Sequence, residues 1–197
     1  MNISLVPTDF KPGKRNFCPL PMEMVNLLKQ EGIILNKMWV YRLELNHLDI
    51  QIECPVIMNE DKRPICVIMP AFKLPYRRYP GYVYLYAVVI HLMGLSMRKA
   101  AVEVRKKFGI EKFSHSTISR VLAALLLNAE SLSQICTQET AYDPAESPGL
   151  AERTTWASEK KKSAQKLLSS LSVVLSTPEA GTMIIYRYFM RYCQLLL

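Results

Sequence analysis

The chain has no Cys-x-x-Cys pair and none of the short motifs that carry nucleotide, dinucleotide or hydrolytic chemistry. Without a Walker loop, a Gly-x-Gly-x-x-Gly fingerprint, a nucleophile elbow or a His-Glu-x-x-His pair, the common enzyme classes have no signature here, and neither a cofactor nor a small-molecule substrate is implied. The longest apolar run, Tyr82 to Leu95, contains His91 and is shorter than the roughly 20 residues of a spanning helix, so no membrane segment is expected. The first seven residues, Met1-Asn2-Ile3-Ser4-Leu5-Val6-Pro7, lack the charged head and apolar centre of a secretory signal, and export is not expected. Five cysteines without a regular framework fit buried thiols in a reducing, cytoplasmic setting.

What is present begins with size. The 197 residues, half of them apolar, are enough for one sizeable domain or two small ones. The most informative stretch runs from Gly94-Leu95-Ser96 to Ala123 and predicts two helices around a glycine-marked turn. Ser96 is placed to cap the first helix. Met97, Ala100, Ala101, Val104 and Phe108 follow the spacing of a buried helical face. Lys106 and Lys107 suit the negative end of the helix dipole, and Gly109 stands where a left-handed residue would end it. Ser114 offers a second cap, and Ile118, Val121, Leu122, Leu125 and Leu126 repeat the buried spacing. The opposite face then centres on Ser116, Arg120 and Ala123, with Thr117 and Ser119 at its margins.

This is the sequence form of a helix-turn-helix, and it predicts binding of double-stranded DNA. Hydroxyls near a helix N-terminus reach phosphates or bases, arginine pairs with guanine, and small residues let a helix approach the groove. The same pattern also describes an ordinary helical hairpin with a solvated polar face. Charge bears on the choice: Lys62 to Arg120 holds twelve Lys and Arg against two acidic residues, while the rest of the chain holds thirteen against fifteen. The net +8 of the chain is thus concentrated on the predicted helices, where phosphate neutralisation would need it.

The run Met69-Pro70-Ala71-Phe72-Lys73-Leu74-Pro75-Tyr76-Arg77-Arg78-Tyr79, an apolar helix, then Gly-Leu-Ser-Met-Arg-Lys-Ala-Ala and Ser-His-Ser-Thr-Ile-Ser-Arg together resemble the N-terminal region of bacterial insertion-sequence transposases and their truncated relatives. In that family a small zinc ribbon precedes a proline- and tyrosine-bearing connector and a homeodomain-like helix-turn-helix that binds the ends of the element. The resemblance covers about Cys54 to Leu126. It implies a degenerate ribbon before the helix-turn-helix, because the metal set is incomplete: Cys18, His47, Cys54 and Cys66 are the candidates, and Pro21 stands where a partner to Cys18 belongs. No metal is therefore expected. The family's catalytic core holds metals on three carboxylates, but only 70 residues follow Leu127. Asp143, Glu146 and Glu152 fall in the expected linker, so the chain is expected not to be an enzyme by itself.

The resulting expectation is a mainly α fold: a homeodomain-like helix-turn-helix preceded by a small two-stranded β remnant and followed by C-terminal helices. Residues 1–75 form an irregular region with the ribbon-like pair, one strand within Met38 to Ile52 and the other from Ile65 to Met69. Residues 76–130 hold the helix-turn-helix, 131–156 a linker, and 157–197 a helical tail. The expected base contacts are Ser116, Thr117, Ser119 and Arg120. The expected phosphate contacts are Lys73, Arg77, Arg78, Arg98, Lys106, Lys107, Lys112, Ser114 and His115. The apolar last helix needs cover, which a homodimer or packing within the chain would supply. A different reading keeps the helices as a protein-interaction module whose basic surface only solvates it.

Overall fold

The structure, a computed structural model, describes residues 16–30, 38–58, 61–139, 149–150 and 157–192. Four strands and seven α-helices follow in the order β1 (Asn16–Leu20), α1 (Met22–Gln30), β2 (Met38–Leu45), β3 (Leu48–Met58), β4 (Pro64–Pro70), α2 (Gly81–Leu92), α3 (Met97–Phe108), α4 (His115–Leu127), α5 (Ala129–Glu139), α6 (Ser158–Leu171) and α7 (Pro178–Tyr192). A 3-10 turn, Ser172–Leu175, joins the last two helices.

The expectation of a mainly α chain with a two-stranded remnant is overturned. The strands form one four-stranded mixed sheet in the order β1-β4-β3-β2, which makes the fold α/β. Met38 to Ile52, expected to hold one strand, folds as a tight hairpin of β2 and β3. Asn46 and His47 both take positive φ, 49° and 60°, the geometry of a two-residue turn whose twist matches its strands. β1 falls in a stretch expected to be irregular, and it pairs in parallel with β4, Cys18 opposite Ile68. Its order comes from that distant partner rather than from alternation in its own five residues.

The helices match their apolar spacing closely. Ser96 and Ser114 accept hydrogen bonds from the N–H groups of Lys99 and Thr117, each at 3.3 Å, and so cap α3 and α4. Gly109 closes α3 in the left-handed conformation at φ 54°. α2 is buried on every side, with Val83, Leu85, Ala87, Val88 and Val89 fully enclosed, and each large aliphatic side chain there contributes about 1.5–3 kcal/mol of burial. It packs against α3, α4, α6, the 3-10 turn and α7. The helix-turn-helix and the C-terminal helices therefore share one core. α5 carries regular structure through Glu139, into the segment expected to be a linker. Residues 140–148 and 151–156, and with them Asp143, Glu146 and Glu152, lie outside the described residues.

The apolar stripe of α7 is covered within the chain. Ile184, Ile185 and Tyr188 enter the helical core, while Phe189 packs with Cys18, Leu20 and Ile68 of the sheet. Gly181 permits the approach: a Cβ there would sit 2.7 Å from the Tyr82 Cβ at the start of α2. The closing Leu195-Leu196-Leu197 lies outside the described residues.

Candidate nucleic-acid interface

α4 presents the face that the sequence assigns to it. Ile118, Val121, Leu122 and Leu125 are buried, whereas Ser114, His115, Ser116, Ser119, Arg120 and Ala123 are exposed and Thr117 is half-buried. The first turn is knit by hydroxyls: Ser114 Oγ lies 2.8 Å from Ser116 Oγ and 3.0 Å from Thr117 Oγ1. Ser114 is thus committed first to capping the helix. Arg120 leans back along the same face, its Nε donating to the Ser116 carbonyl at 3.4 Å. The hydroxyl cluster and the guanidinium form one continuous strip of hydrogen-bonding groups.

The helix and turn that precede α4 carry exposed cations. Arg98, Lys106, Lys107 and Lys112 are exposed, as are Lys99 and Arg105, two α3 residues absent from the expected phosphate set although they share the wet side of the helix. Lys107 places its ammonium 4.2 Å from the ring centroid of Tyr86, a contact that holds the charge near the surface without neutralising it.

The connector behaves differently from the expectation for Lys73, Arg77 and Arg78. Lys73 is 2% exposed, and its Nζ donates to the carbonyls of Leu74, at 2.9 Å, and Arg77. It pins the connector's turn from inside and does not face a phosphate; burial pulls its pKa down to about 8. Arg77 is half-buried, with its guanidinium 5.6 Å from the ring centroid of Tyr84. Arg78 Nε lies 2.5 Å from Oε2 of the buried Glu44. Lys73 and Arg77 find their partners within the connector and the start of α2, whereas Arg78, itself exposed, is held by the sequence-distant Glu44.

Glu44 belongs to a junction that fixes the helix-turn-helix on the sheet. Its Oε1 accepts the Glu111 N–H at 2.8 Å, and its own N–H donates to the Arg78 carbonyl at 2.9 Å. At the hairpin tip, the N–H groups of Asn46 and His47 donate to the carbonyls of Phe108 and Gly109 at 2.8 and 2.5 Å. The β2–β3 turn therefore satisfies carbonyls at the end of α3 that would otherwise lack partners. A Cβ on Gly109 would come within 2.8 Å of the Asn46 Cα, so the absence of a side chain serves both the left-handed cap and this docking.

The candidate metal ligands are dispersed. Cys18 and Cys66 share one small core beside α1, Cys54 lies in another, and His47 is at the hairpin tip against Gly109. Burial and the neighbouring Cys18 thiol push the Cys66 thiol up to about 12, a protonated state opposed to metal binding. Among the described residues, no three His, Cys, Asp or Glu side chains gather as a metal site. No described helix is long and apolar enough to cross a membrane. No protein-family model, curated protein or solved structure matches the chain.

Proposed function

We propose that the chain is a non-catalytic protein that binds double-stranded DNA, with α4 entering the major groove and the cations of α3 and Lys112 holding the backbone on either side. The observation that carries this reading is the exposed strip Ser116, Ser119 and Arg120, preceded by a helix and turn of exposed cations and left uncovered by α5, α6 and α7. Arg120 is the base-reading residue, with the hydroxyls of Ser116, Thr117 and Ser119 beside it. Arg98, Lys106, Lys107 and His115 take phosphates, joined by Lys99 and Arg105. The connector and helix-turn-helix sequence support a relationship to the N-terminal part of insertion-sequence transposases.

Fluorescence anisotropy of the full chain with a random duplex pool, followed by selection of the retained sequences, tests the reading. Arg120→Ala is expected to weaken the selected site by about 1–3 kcal/mol and to relax its sequence preference. Lys106→Ala should weaken all duplexes alike and lower the salt slope by about one. Absence of retention at low salt rejects the proposal, and equal losses for Arg120→Ala on selected and random duplexes reject the assigned reading face.

A further inference from the structure

The sheet divides. β3 pairs with β2 from Leu48 to Pro55 but with β4 only from Val56 to Met58, where the register shifts. Beyond that point β4 continues with β1, and β3 continues with β2, so the two ribbons diverge. Between them opens a groove of about 880 Å³, in the size range of pockets that hold ligands. Leu43, Ile52 and Ala71 make its apolar floor, with the start of α1 on one side and the start of α7 on another.

The phase of the hairpin determines which backbone groups look into this fork. In a two-residue hairpin the closing pair, Leu45 and Leu48, exchanges both hydrogen bonds, and alternate residues of each strand then point their N–H and C=O groups outward. The Glu44 N–H confirms the phase on β2, since it leaves the ladder for the Arg78 carbonyl. On β3 the outward set therefore includes Gln51 and Glu53. Both line the groove, and their N–H groups have no hydrogen-bond partner among the described residues. An unpaired strand edge at a groove is a template for another strand.

The surroundings specify the chemistry of that strand. Met22, Ile50 and Met183, from three different elements, bring exposed apolar side chains to the same mouth, more than scattered surface residues require. Glu23 and Glu179 line the groove, and no described lysine or arginine does, although the chain carries a net +8. The Glu179 carboxylate acts on Tyr82 in the groove wall, whose hydroxyl is held above its ordinary pKa by burial and then by that charge.

We propose that the fork is a docking site for an extended segment of another protein in which apolar residues alternate with lysine or arginine, added as a strand to the open edge of β3 at Gln51 and Glu53. Main-chain hydrogen bonds supply the attachment, the apolar mouth takes alternate side chains, and Glu23 and Glu179 select basic residues. The site is independent of DNA binding.

The test uses the full chain without DNA. In amide exchange followed by NMR, Gln51 and Glu53 should exchange rapidly while Ile50 and Ile52, paired to β2, exchange slowly. The probe is a labelled hexapeptide of alternating Lys and Val. It should bind, protect the Gln51 and Glu53 amides, and bind at least tenfold more tightly than the Glu–Val hexapeptide or a Lys–Val hexapeptide N-methylated at alternate amides. Gln51→Pro removes a donor that the β2 ladder does not use and should weaken binding at least fivefold. Met183→Arg, at an exposed position, should do the same with unchanged melting. No binding at 1 mM, indifference to N-methylation and to both variants, or protection of Gln51 and Glu53 before peptide is added overturns the proposal.

Discussion

The outer face of α4 and the fork in the sheet share no residue and differ in chemistry. The first is exposed and hydroxylic, in a segment rich in cations; the second is a groove, apolar and lined by carboxylates. The difference teaches how a chain with a modest net charge keeps two kinds of surface apart. Twelve of its 25 basic residues sit between Lys62 and Arg120, and those that fold toward the sheet, Lys73 and Arg78, are held by carbonyls or by Glu44. The helix-turn-helix and the sheet meet where the hairpin tip closes the end of α3 and Glu44 accepts the Glu111 N–H.

The contrast is broken most severely at that junction. Gly109→Ala forces a side chain into the left-handed region and against Asn46, and is expected to cost about 2–4 kcal/mol in denaturant unfolding. Hydrogen exchange should quicken at Asn46 and His47 as well as in α3, because both sides lose the contact. A smaller loss, about 1–3 kcal/mol, is expected for Glu44→Ala, which leaves the Glu111 N–H without its acceptor and removes the Arg78 pair. That variant should leave the melting of an Arg120→Ala partner unchanged beyond simple additivity, since Arg120 lies on the free face.

The smallest effect sharpens the comparison by touching the sheet alone. The Cys66 thiol holds its proton to about 12 in the native protein against 9.0 unperturbed. The raised value favours folding below pH 9 and loses that contribution as pH rises toward 12, because the unfolded chain ionises first. Between pH 9 and 10 the wild type should lose about 1 kcal/mol more than Cys66→Ala, measured as the slope of unfolding free energy against pH. Equal slopes would show that the thiol is not shielded.

The helical pair was legible because its signals are local: Ser96, Ser114 and Gly109 sit within a few residues of the backbone groups they satisfy, and the apolar spacing lies within each helix. The sheet was only half legible. Met38 to Ile52 alternates, but the Asn46-His47 turn has no glycine to announce it, and β1 is a strand only because β4 lies beside it. Lys73 read as a surface cation because its burial depends on carbonyls presented by the connector's own turn. The fork left no trace in the sequence, since it is a place where pairing stops.

One consequence follows from the burial of α2. A helix buried along nearly all its length cannot serve a three-helix unit alone, because α6, the 3-10 turn and α7 cover it as well as α3 and α4. Grafting residues 76–130 onto another protein would therefore transplant a greasy spine with part of its sheath missing. Evolution, and anyone engineering this protein, must move the whole body together.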